Sequence, residues 1–234
     1  MLGLQFGPIL AKYPAFLEGL WLTVQLSVGA ITLGSFVGLI AAALRSMGPK
    51  PVQWIVRVYV EAIRNTPFLV QLYIIFFGLP SVGITISAIQ ASILAMTINL
   101  GAYSTEIFRA GIESIHRSQL EAGQSLALTR VQIFRHVVLV PAVAKVWPSL
   151  VSQFILIMLT SSVCSFISVE ELSGAAYTIQ SETFQSFEVY IIAGLLYLGL
   201  ALILKTGLAA LGIQLFGRKR VAKSATIRVP EVLP

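Results

Sequence analysis

The residues of this chain that could do chemistry are few, and they lie in or beside long apolar runs. Glu61 and Arg64 are three positions apart, so on a helix they share a face and can pair. Charges inside apolar segments are costly unless they face a cavity or a partner. The pair therefore predicts either a gate or ligand contact, or two side chains that extend to a membrane surface. Thr66 and Pro67 follow at once, and the proline predicts a kink or break whose freed backbone groups line a cavity.

A second set of polar side chains has helical spacing. Asn99, Tyr103 and Glu106 follow the pattern i, i+4, i+7 and form one stripe on a helix. Such a stripe is expected to face the interior of a helix bundle, where the amide and the phenol suit a polar zwitterion. In the alternative, Asn99 only bonds across helices, and Glu106 pairs with Arg109 at the inner surface.

A third set of polar residues lies later in the chain. Gln153 and Thr160 are seven positions apart and share one helix face, and Ser161 adds a hydroxyl beside them. These side chains could line the same cavity as the earlier sets. Hydroxyls in apolar helices also bond their own i−4 carbonyl and do nothing more, so both interpretations remain open.

Motifs for catalysis, ATP binding or metal binding are absent from the sequence. It has no G-x-x-x-x-G-K-[ST] loop and no nucleophile with an adjacent base. His116 and His136 match no metal motif, and Cys164 is the only cysteine. The sequence therefore predicts a protein that is not an enzyme and holds no cofactor.

The composition indicates an integral membrane protein. Of 234 residues, 56% are hydrophobic and only 11% are charged, against about 25% charged in soluble domains. This excludes a soluble enzyme, a secreted disulfide scaffold and a disordered chain. The net charge of +6 is spread between apolar blocks, which favours membrane topology over nucleic-acid binding as its explanation.

Charge-free runs predict an all-α protein with five transmembrane helices in a single domain, residues 1–234. A run of 26 residues from Gly19 to Leu44 is the clearest span. With the C-terminus inside and the N-terminus outside, 13 of the 16 Lys and Arg residues lie in cytoplasmic segments. The spans are expected at about 18–44, 54–79, 85–108, 146–169 and 189–215, with a polar inner loop at 109–145 and a basic, lipid-facing cytoplasmic tail at 217–234.

The inner loop carries a family resemblance. It reads Gln119-Leu-Glu-Ala-Gly-Gln-Ser-Leu-Ala-Leu-Thr-Arg130, which is similar to the EAA loop of ATP-binding-cassette (ABC) importer permeases. In that family a short helix of this loop docks in a groove of the cytoplasmic ATPase. The resemblance assigns this docking to the loop residues Glu121, Ala122, Gly123, Leu126, Ala127, Leu128 and Thr129.

Four other segments resemble the polar amino-acid subgroup of these permeases, which takes up histidine, glutamine, arginine or glutamate. They are Gly19-Leu-Trp-Leu-Thr-Val-Gln-Leu-Ser27, Tyr59-Val-Glu-Ala-Ile-Arg-Asn-Thr-Pro-Phe-Leu-Val-Gln71, Asn99-Leu-Gly-Ala-Tyr-Ser-Thr-Glu-Ile-Phe-Arg-Ala-Gly111 and Ile167-Ser-Val-Glu-Glu-Leu172.

The resemblance implies a type I importer core in a bacterial cytoplasmic membrane. It implies three kinds of partner: an ATPase dimer that holds ATP and Mg²⁺, a second permease subunit, and an extracytoplasmic amino-acid-binding protein.

One segment departs from the family pattern. The fourth helix of the family usually reads K-[DN]-T-S-L, whereas this chain has Met158-Leu159-Thr160-Ser161-Ser162. An apolar pair thus replaces a cation and a polar neighbour near the expected substrate path. The departure keeps open an opine or a modified amino acid as cargo. An ion-coupled secondary transporter and a membrane-embedded enzyme are the remaining alternatives.

Overall fold

The structure is a computed structural model that describes residues 6–217, and this part of the chain is helical without a strand. The basic tail predicted at 217–234 lies outside the described residues except for Gly217. The α-helices, in chain order, are α1 (Gly7–Leu10), α2 (Tyr13–Met47), α3 (Lys50–Arg64), α4 (Phe68–Ser81), α5 (Ala88–Glu113), α6 (Arg117–Ser125), α7 (Arg130–Gln132), α8 (Leu139–Thr160), α9 (Leu172–Thr183) and α10 (Ser186–Phe216).

Helix α2 is the central element and packs along α5. Small residues of α2 allow the close approach: a Cβ at Gly34 would lie 2.9 Å from Cβ of Leu100, and one at Gly38 would lie 2.6 Å from Cβ of Ser104. Contacts of this kind between small residues let the backbones of membrane helices pack closely. The main hydrophobic core therefore lies between α2, α5 and α8.

The second predicted span is not one straight helix. It consists of α3 and α4, which are bent by 107° at the break between Arg64 and Phe68. Pro67 has an extended backbone and caps the start of α4, since proline fixes φ and the residue before it avoids helical geometry. The break expected at Thr66-Pro67 is thereby confirmed.

The helix that contains the fourth predicted span begins much earlier than the charge pattern indicates. A 35-residue helix runs from Ile133 to Ile167, with a π-helical turn over Ile133–Val138 and a 3-10 turn over Ser161–Ile167. The predicted polar segment 109–145 contains the short helices α6 and α7, and its last residues, from Ile133 onward, belong to the long helix. Charges mark where an apolar run ends rather than where a helix ends. The non-helical part of the 109–145 segment shrinks to the short connections around α6.

The acidic segment 170–188 contains a helix that the sequence did not predict. Helix α9 covers Leu172–Thr183 and buries Leu172, Ala176 and Ile179 against Phe16 of α2 and Val189 of α10. Its apolar face therefore fills the angle between α2 and α10.

Membrane-crossing length and hydropathy are found in three continuous helices of the described chain. They are α2, the helix Ile133–Ile167, and α10, and the bent pair α3–α4 makes a fourth if it counts as one span. Helix α5 has 26 residues and lies between α2 and α8 with a largely buried surface.

Candidate functional site

The break between α3 and α4 is held by one side chain that the sequence analysis did not single out. The amide nitrogen of Gln71 donates to the carbonyl oxygens of Ile63 at 2.7 Å and Thr66 at 3.0 Å, and to the hydroxyl of Thr66 at 2.9 Å. Gln71 is 6% exposed. A broken membrane helix needs such partners, because its freed carbonyls find no water in the hydrocarbon region.

Asn99 of α5 completes this arrangement. Its Nδ2 donates to Oε1 of Gln71 at 3.0 Å, and its side chain is buried. Asn99 thus orients the amide that holds the break. This contact is the cross-helix bond that stood as the alternative to a path-lining role, and it explains why an amide occupies an apolar helix here.

The ion pair expected between Glu61 and Arg64 is replaced by two other contacts. Nε of Arg57 donates to Oε1 of Glu61 at 2.8 Å, one turn earlier on α3. The guanidinium of Arg64 lies 5.3 Å from the ring centroid of Tyr103, a distance typical of a cation–π contact. Both Arg57 and Arg64 had helical spacing to Glu61, so spacing alone did not decide the partner. Arg64, Asn65 and Thr66 remain exposed.

Glu106 joins two helices at the far end of α5. Its Oε1 accepts a hydrogen bond from Nη1 of Arg45 on α2, and its Oε2 accepts from Nη2 of Arg109 at 2.9 Å. Arg109 also reaches Glu113 at 2.5 Å. The contact with Arg109 is the one that stood as the alternative to a path-lining role for Glu106, and the contact with Arg45 adds a bridge to α2.

The hydroxyls of the helix Ile133–Ile167 bond mainly to carbonyl oxygens of the same helix. Thr160 donates to the carbonyl of Leu156 at 2.8 Å and is half-buried. Ser161 is fully buried and donates to the carbonyl of Met158 at 2.6 Å, so it does not reach the exposed face. Gln153 is half-buried. Met158 is buried, whereas Leu159 is 39% exposed.

Helix α6 presents the segment similar to the EAA loop. Glu121 and Ala122 lie exposed on α6, and Leu126 at its end is 74% exposed although it is apolar. Leu128 is half-buried and Thr129 is exposed. Single exposed apolar side chains are common on protein surfaces, so the docking role of this segment rests on the family resemblance.

Gly123 does not belong to that exposed surface. It is buried, and a Cβ there would lie 3.0 Å from Cγ1 of Ile133. Packing within the chain thus favours a small residue at this position, since the Ile133 side chain would have to shift to admit a larger one. A Gly123→Trp variant therefore disrupts the α6–Ile133 contact itself, which makes it a poor probe of docking.

Ala127 lies in the turn after α6 with a φ of 56°. This left-handed backbone favours glycine, and a non-glycine residue there costs about 1–2 kcal/mol. The EAA loop of the resembled family reads E-A-A, three residues and G, and Ala127 stands at the position of that glycine. The left-handed turn is therefore one that suits the glycine of the pattern.

A buried carboxyl at the other end of the molecule was missed. Glu171 is 0% exposed and caps α9, accepting from the backbone N–H groups of Ser173 at 2.9 Å and Gly174 at 3.0 Å. The Tyr197 hydroxyl of α10 donates to it at 2.5 Å, and the Thr23 hydroxyl of α2 at 3.4 Å. Burial raises the pKa of the Glu171 carboxyl, against the opposing effect of these hydrogen bonds. A capping signal was present, because a Glu directly precedes the helix.

Residues 6–217 contain no group of three or more His, Cys or acidic side chains that could hold a metal ion. The arrangement consists of a broken helix with an exposed polar end, a charged bridge between α2 and α5, and an exposed amphipathic segment at α6. Such an arrangement can bind and move. The hydroxyl of Ser118 lies 2.7 Å from Nδ1 of His116, and this exposed pair belongs to the N-cap of α6.

Comparison with known proteins places this geometry in a family. Residues 34–212 match the family described as binding-protein-dependent transport system inner membrane component. The chain is 36% identical over 214 residues to a probable glutamine ABC transporter permease protein, GlnM, of Bacillus subtilis, covering 91% of this chain and 96% of that one. It is 33% identical over 198 residues to the octopine transport system permease protein OccM of Rhizobium radiobacter, with 80% of each chain covered.

Solved structures agree with the sequence relatives. A chain from the crystal structure of an amino acid ABC transporter with histidines superposes with a TM-score of 0.83 at 34% identity, over 91% of this chain and all of that one. The fold also matches the inward-facing MetNI methionine ABC transporter, with a TM-score of 0.70 at 19% identity over 89% of this chain and 98% of that one. The chain belongs to the family of inner-membrane components of binding-protein-dependent transport systems.

Proposed function

We propose that this chain is the membrane-spanning subunit of an ATP-driven importer of amino acids. The proposal rests chiefly on the match, over 91% of this chain, to a probable glutamine ABC transporter permease and to a chain of an amino acid ABC transporter. The chain itself performs no chemistry, and ATP hydrolysis belongs to a separate cytoplasmic ATPase dimer. A second permease subunit and an extracytoplasmic amino-acid-binding protein complete the assembly in the bacterial cytoplasmic membrane.

The proposed topology has five spans in one domain, with the N-terminus outside. They are α2, the pair α3–α4, α5, the helix Ile133–Ile167, and α10. Helix α6 then lies on the cytoplasmic side, where Arg45, Arg109 and Arg117 also lie, in keeping with the positive-inside rule. Glu170 and Glu182 lie at the opposite, outer end.

Helix α6 is the proposed coupling element. It connects α5 to the 35-residue helix through short segments, and Gly123 packs against Ile133 at the start of that helix. When the ATPase dimer closes, a rigid displacement of α6 is passed directly to α8. This is alternating access by rigid-body motion of packed helices between two states.

The proposed substrate path follows the exposed polar end of α3 and the polar face of the helix Ile133–Ile167. It includes Arg64, Thr66, Gln153 and Thr160, with Tyr103 beneath Arg64. Asn99 supports this surface through Gln71, which bonds to Thr66. Glu61 and Glu106 pair instead with arginines, Arg57 for the first and Arg45 and Arg109 for the second. Ser161 has no exposed atom to offer to a cargo.

An opine or modified amino acid is the second candidate cargo. The similarity to an octopine permease and the exposed, apolar Leu159 favour it. A competition panel of amino acids and opines against labelled uptake separates the two, and Thr160→Val is expected to change the order of competitors. An unchanged order in Thr160→Val and in Arg64→Gln would remove both side chains from the path.

The proposed coupling is tested with Leu126→Glu in the full complex. A carboxylate at this exposed apolar site is expected to prevent ATPase co-purification and abolish ATP-driven uptake while the permease stays in the membrane. Val82→Glu is the matched control, because Val82 is 71% exposed and lies at the outer end. Unchanged ATPase recovery and uptake in Leu126→Glu would overturn the assignment of α6. Uptake that needs no ATPase and collapses with the ion gradient would favour a secondary transporter.

A further inference from the structure

A cavity lined mainly by cations opens where α2 ends, α3 begins and α5 ends. Its volume is about 510 Å³. The lining residues are four cations, one acid, an amide and an indole: Arg45, Lys50, Arg57, Arg109, Glu113, Gln53 and Trp54. We propose that this groove, called here the basic groove, binds the phosphate of an anionic glycerophospholipid. The proposal goes beyond amino-acid transport and needs only that α2 and α3 meet a bilayer surface at this end.

The cations of the basic groove keep hydrogen-bond donors to spare. Arg45 uses only Nη1 toward Glu106, and Arg57 uses only Nε toward Glu61. A guanidinium carries five N–H donors in a planar fork that matches phosphate oxygens. Lys50 is exposed and forms no ion pair within residues 6–217. The groove therefore has positive charge that the protein does not neutralise.

The residues of α3 that line the groove share one face. Lys50, Gln53, Trp54 and Arg57 follow the spacing i, i+3, i+4, i+7. Gln53 is fixed by donating to the carbonyl of Gly48 at 2.9 Å, which ties this face to the α2–α3 turn. The donors of the groove are therefore held on a folded helix rather than on a loop.

A lipid fits this groove better than a soluble anion because an apolar surface adjoins the charge. Trp54, Ile55 and Val58 of α3 are 66%, 60% and 45% exposed. Trp54 and Val58 are one turn apart, so acyl chains can lie along them while the headgroup reaches Lys50 and Arg57. Tryptophan at such a boundary is typical of the membrane interface, and basic pockets at helix ends bind anionic headgroups.

The site lies next to the segment that we assign to coupling. Gln53 also lines a second cavity, which reaches Leu120 and Gln124 of α6. A bound lipid would therefore brace the α2–α3 turn beside α6. Lipid composition is expected to affect the transporter at this point.

The test is native mass spectrometry of the full complex released from bilayers of phosphatidylcholine doped with phosphatidylglycerol. Wild type is expected to retain phosphatidylglycerol over phosphatidylcholine by at least about tenfold. Each cation near a membrane surface contributes about fivefold, so Lys50→Gln with Arg57→Gln is expected to lower retention by about 25-fold. Lys205→Gln is the matched control, since Lys205 is an exposed lysine of α10 outside the groove.

Three results would overturn the proposal. Equal retention of the two lipids by wild type would show that the groove has no preference for an anion. Unchanged retention in the double variant would place the lipid elsewhere. Displacement of the lipid by excess inorganic phosphate would show a soluble-anion site. The wild-type comparison stands even if the double variant fails to assemble, and ATPase co-purification in the same spectra tests the proposed function separately.

Discussion

At the α9 end of the molecule Glu171 joins α2 to α9 and α10 through neutral donors, whereas at the α6 end Glu106 of α5 accepts from two guanidinium groups, Arg45 of α2 and Arg109 of α5 itself. The attachment points on α2, Thr23 and Arg45, are 22 residues apart, which is about 33 Å along a helix. Glu171 is 0% exposed, and the Glu106 side chain is 19% exposed.

The two ends are therefore stabilised in different ways. Neutral donors directed at a fully buried carboxyl give a contact that depends on geometry and hardly on ionic strength. Guanidinium contacts at a half-buried carboxylate give a contact that salt screens. The contact at the α9 end is thus insensitive to salt, whereas the contact at the α6 end, beside the proposed coupling helix, is sensitive to it.

The largest effect is expected from Glu171→Leu. The change leaves the Tyr197 hydroxyl and two backbone N–H groups without the carboxyl that accepts from them, which should lower the free energy of unfolding by about 3 kcal/mol. Denaturant unfolding in detergent measures it. Glu171→Gln is the control, because its amide oxygen can still accept at the cap. Equal losses in both variants would contradict the capping argument.

A smaller loss is expected from Glu106→Gln. Removing the carboxylate leaves Arg45 and Arg109 facing each other and should cost about 1.5 kcal/mol. The same unfolding assay at low and high salt distinguishes the two ends: the cost should shrink in high salt for Glu106→Gln and stay constant for Glu171→Leu. If the Glu171→Leu loss shrank equally, the contrast between the two ends would be refuted.

The pH dependence of stability gives a third comparison. Burial raises the pKa of Glu171 in the folded protein, so the folded state binds this proton more tightly than the unfolded chain. The resulting stability is present at acid pH and is lost as the pH rises through the folded-state pKa. One group contributes at most about 1.4 kcal/mol per pH unit. The difference in unfolding free energy between wild type and Glu171→Gln should therefore decline from acid to neutral pH. A rising difference would reverse the assigned direction.

The smallest effect is a gain, expected from Ala127→Gly at the α6 end. Glycine relieves the left-handed strain at φ 56° but adds freedom to the unfolded chain, for a net stabilisation of about 0.5 kcal/mol. Thermal unfolding measures it. Ala122→Gly, at an exposed helical site of α6, is the matched control and should destabilise instead. Stabilisation by both substitutions would mean that the turn is not strained.

The expectations that were based on long apolar runs agree best with the structure. The spans near residues 18–44 and 189–215 correspond to α2 and α10, because a long charge-free run leaves little choice of structure in a membrane. Pro67 located the break in α3–α4, since the physical cause is local to that residue. The family resemblance of the 119–130 segment was likewise local, and the family itself is confirmed by comparison.

The sequence alone did not predict which side chains contact each other. Glu171 meets Thr23 from 148 positions away, and no local pattern encodes that distance. Glu61 had two arginines at helical spacing, and the bend at the end of α3 directs Arg64 toward Tyr103 instead. The family resemblance assigned Gly123 to ATPase docking, whereas the structure buries Gly123 against Ile133 of the same chain. Residue types indicated polarity correctly, but the pairing depended on how distant helices pack.

The length of α2 has a mechanical consequence for the bilayer. Its charge-free stretch of 26 residues from Gly19 to Leu44 is about 39 Å long at 1.5 Å per residue, against a hydrocarbon thickness of about 30 Å. A helix longer than the hydrocarbon layer is accommodated by tilting, by kinking or by local thickening of the bilayer, and a thicker membrane lets a tilted helix stand more upright. Because the contact of Thr23 with Glu171 holds one end of α2, a change in the tilt of α2 displaces Arg45 at the other end. Membrane thickness is therefore expected to affect the contact between Arg45 and Glu106, beside α6.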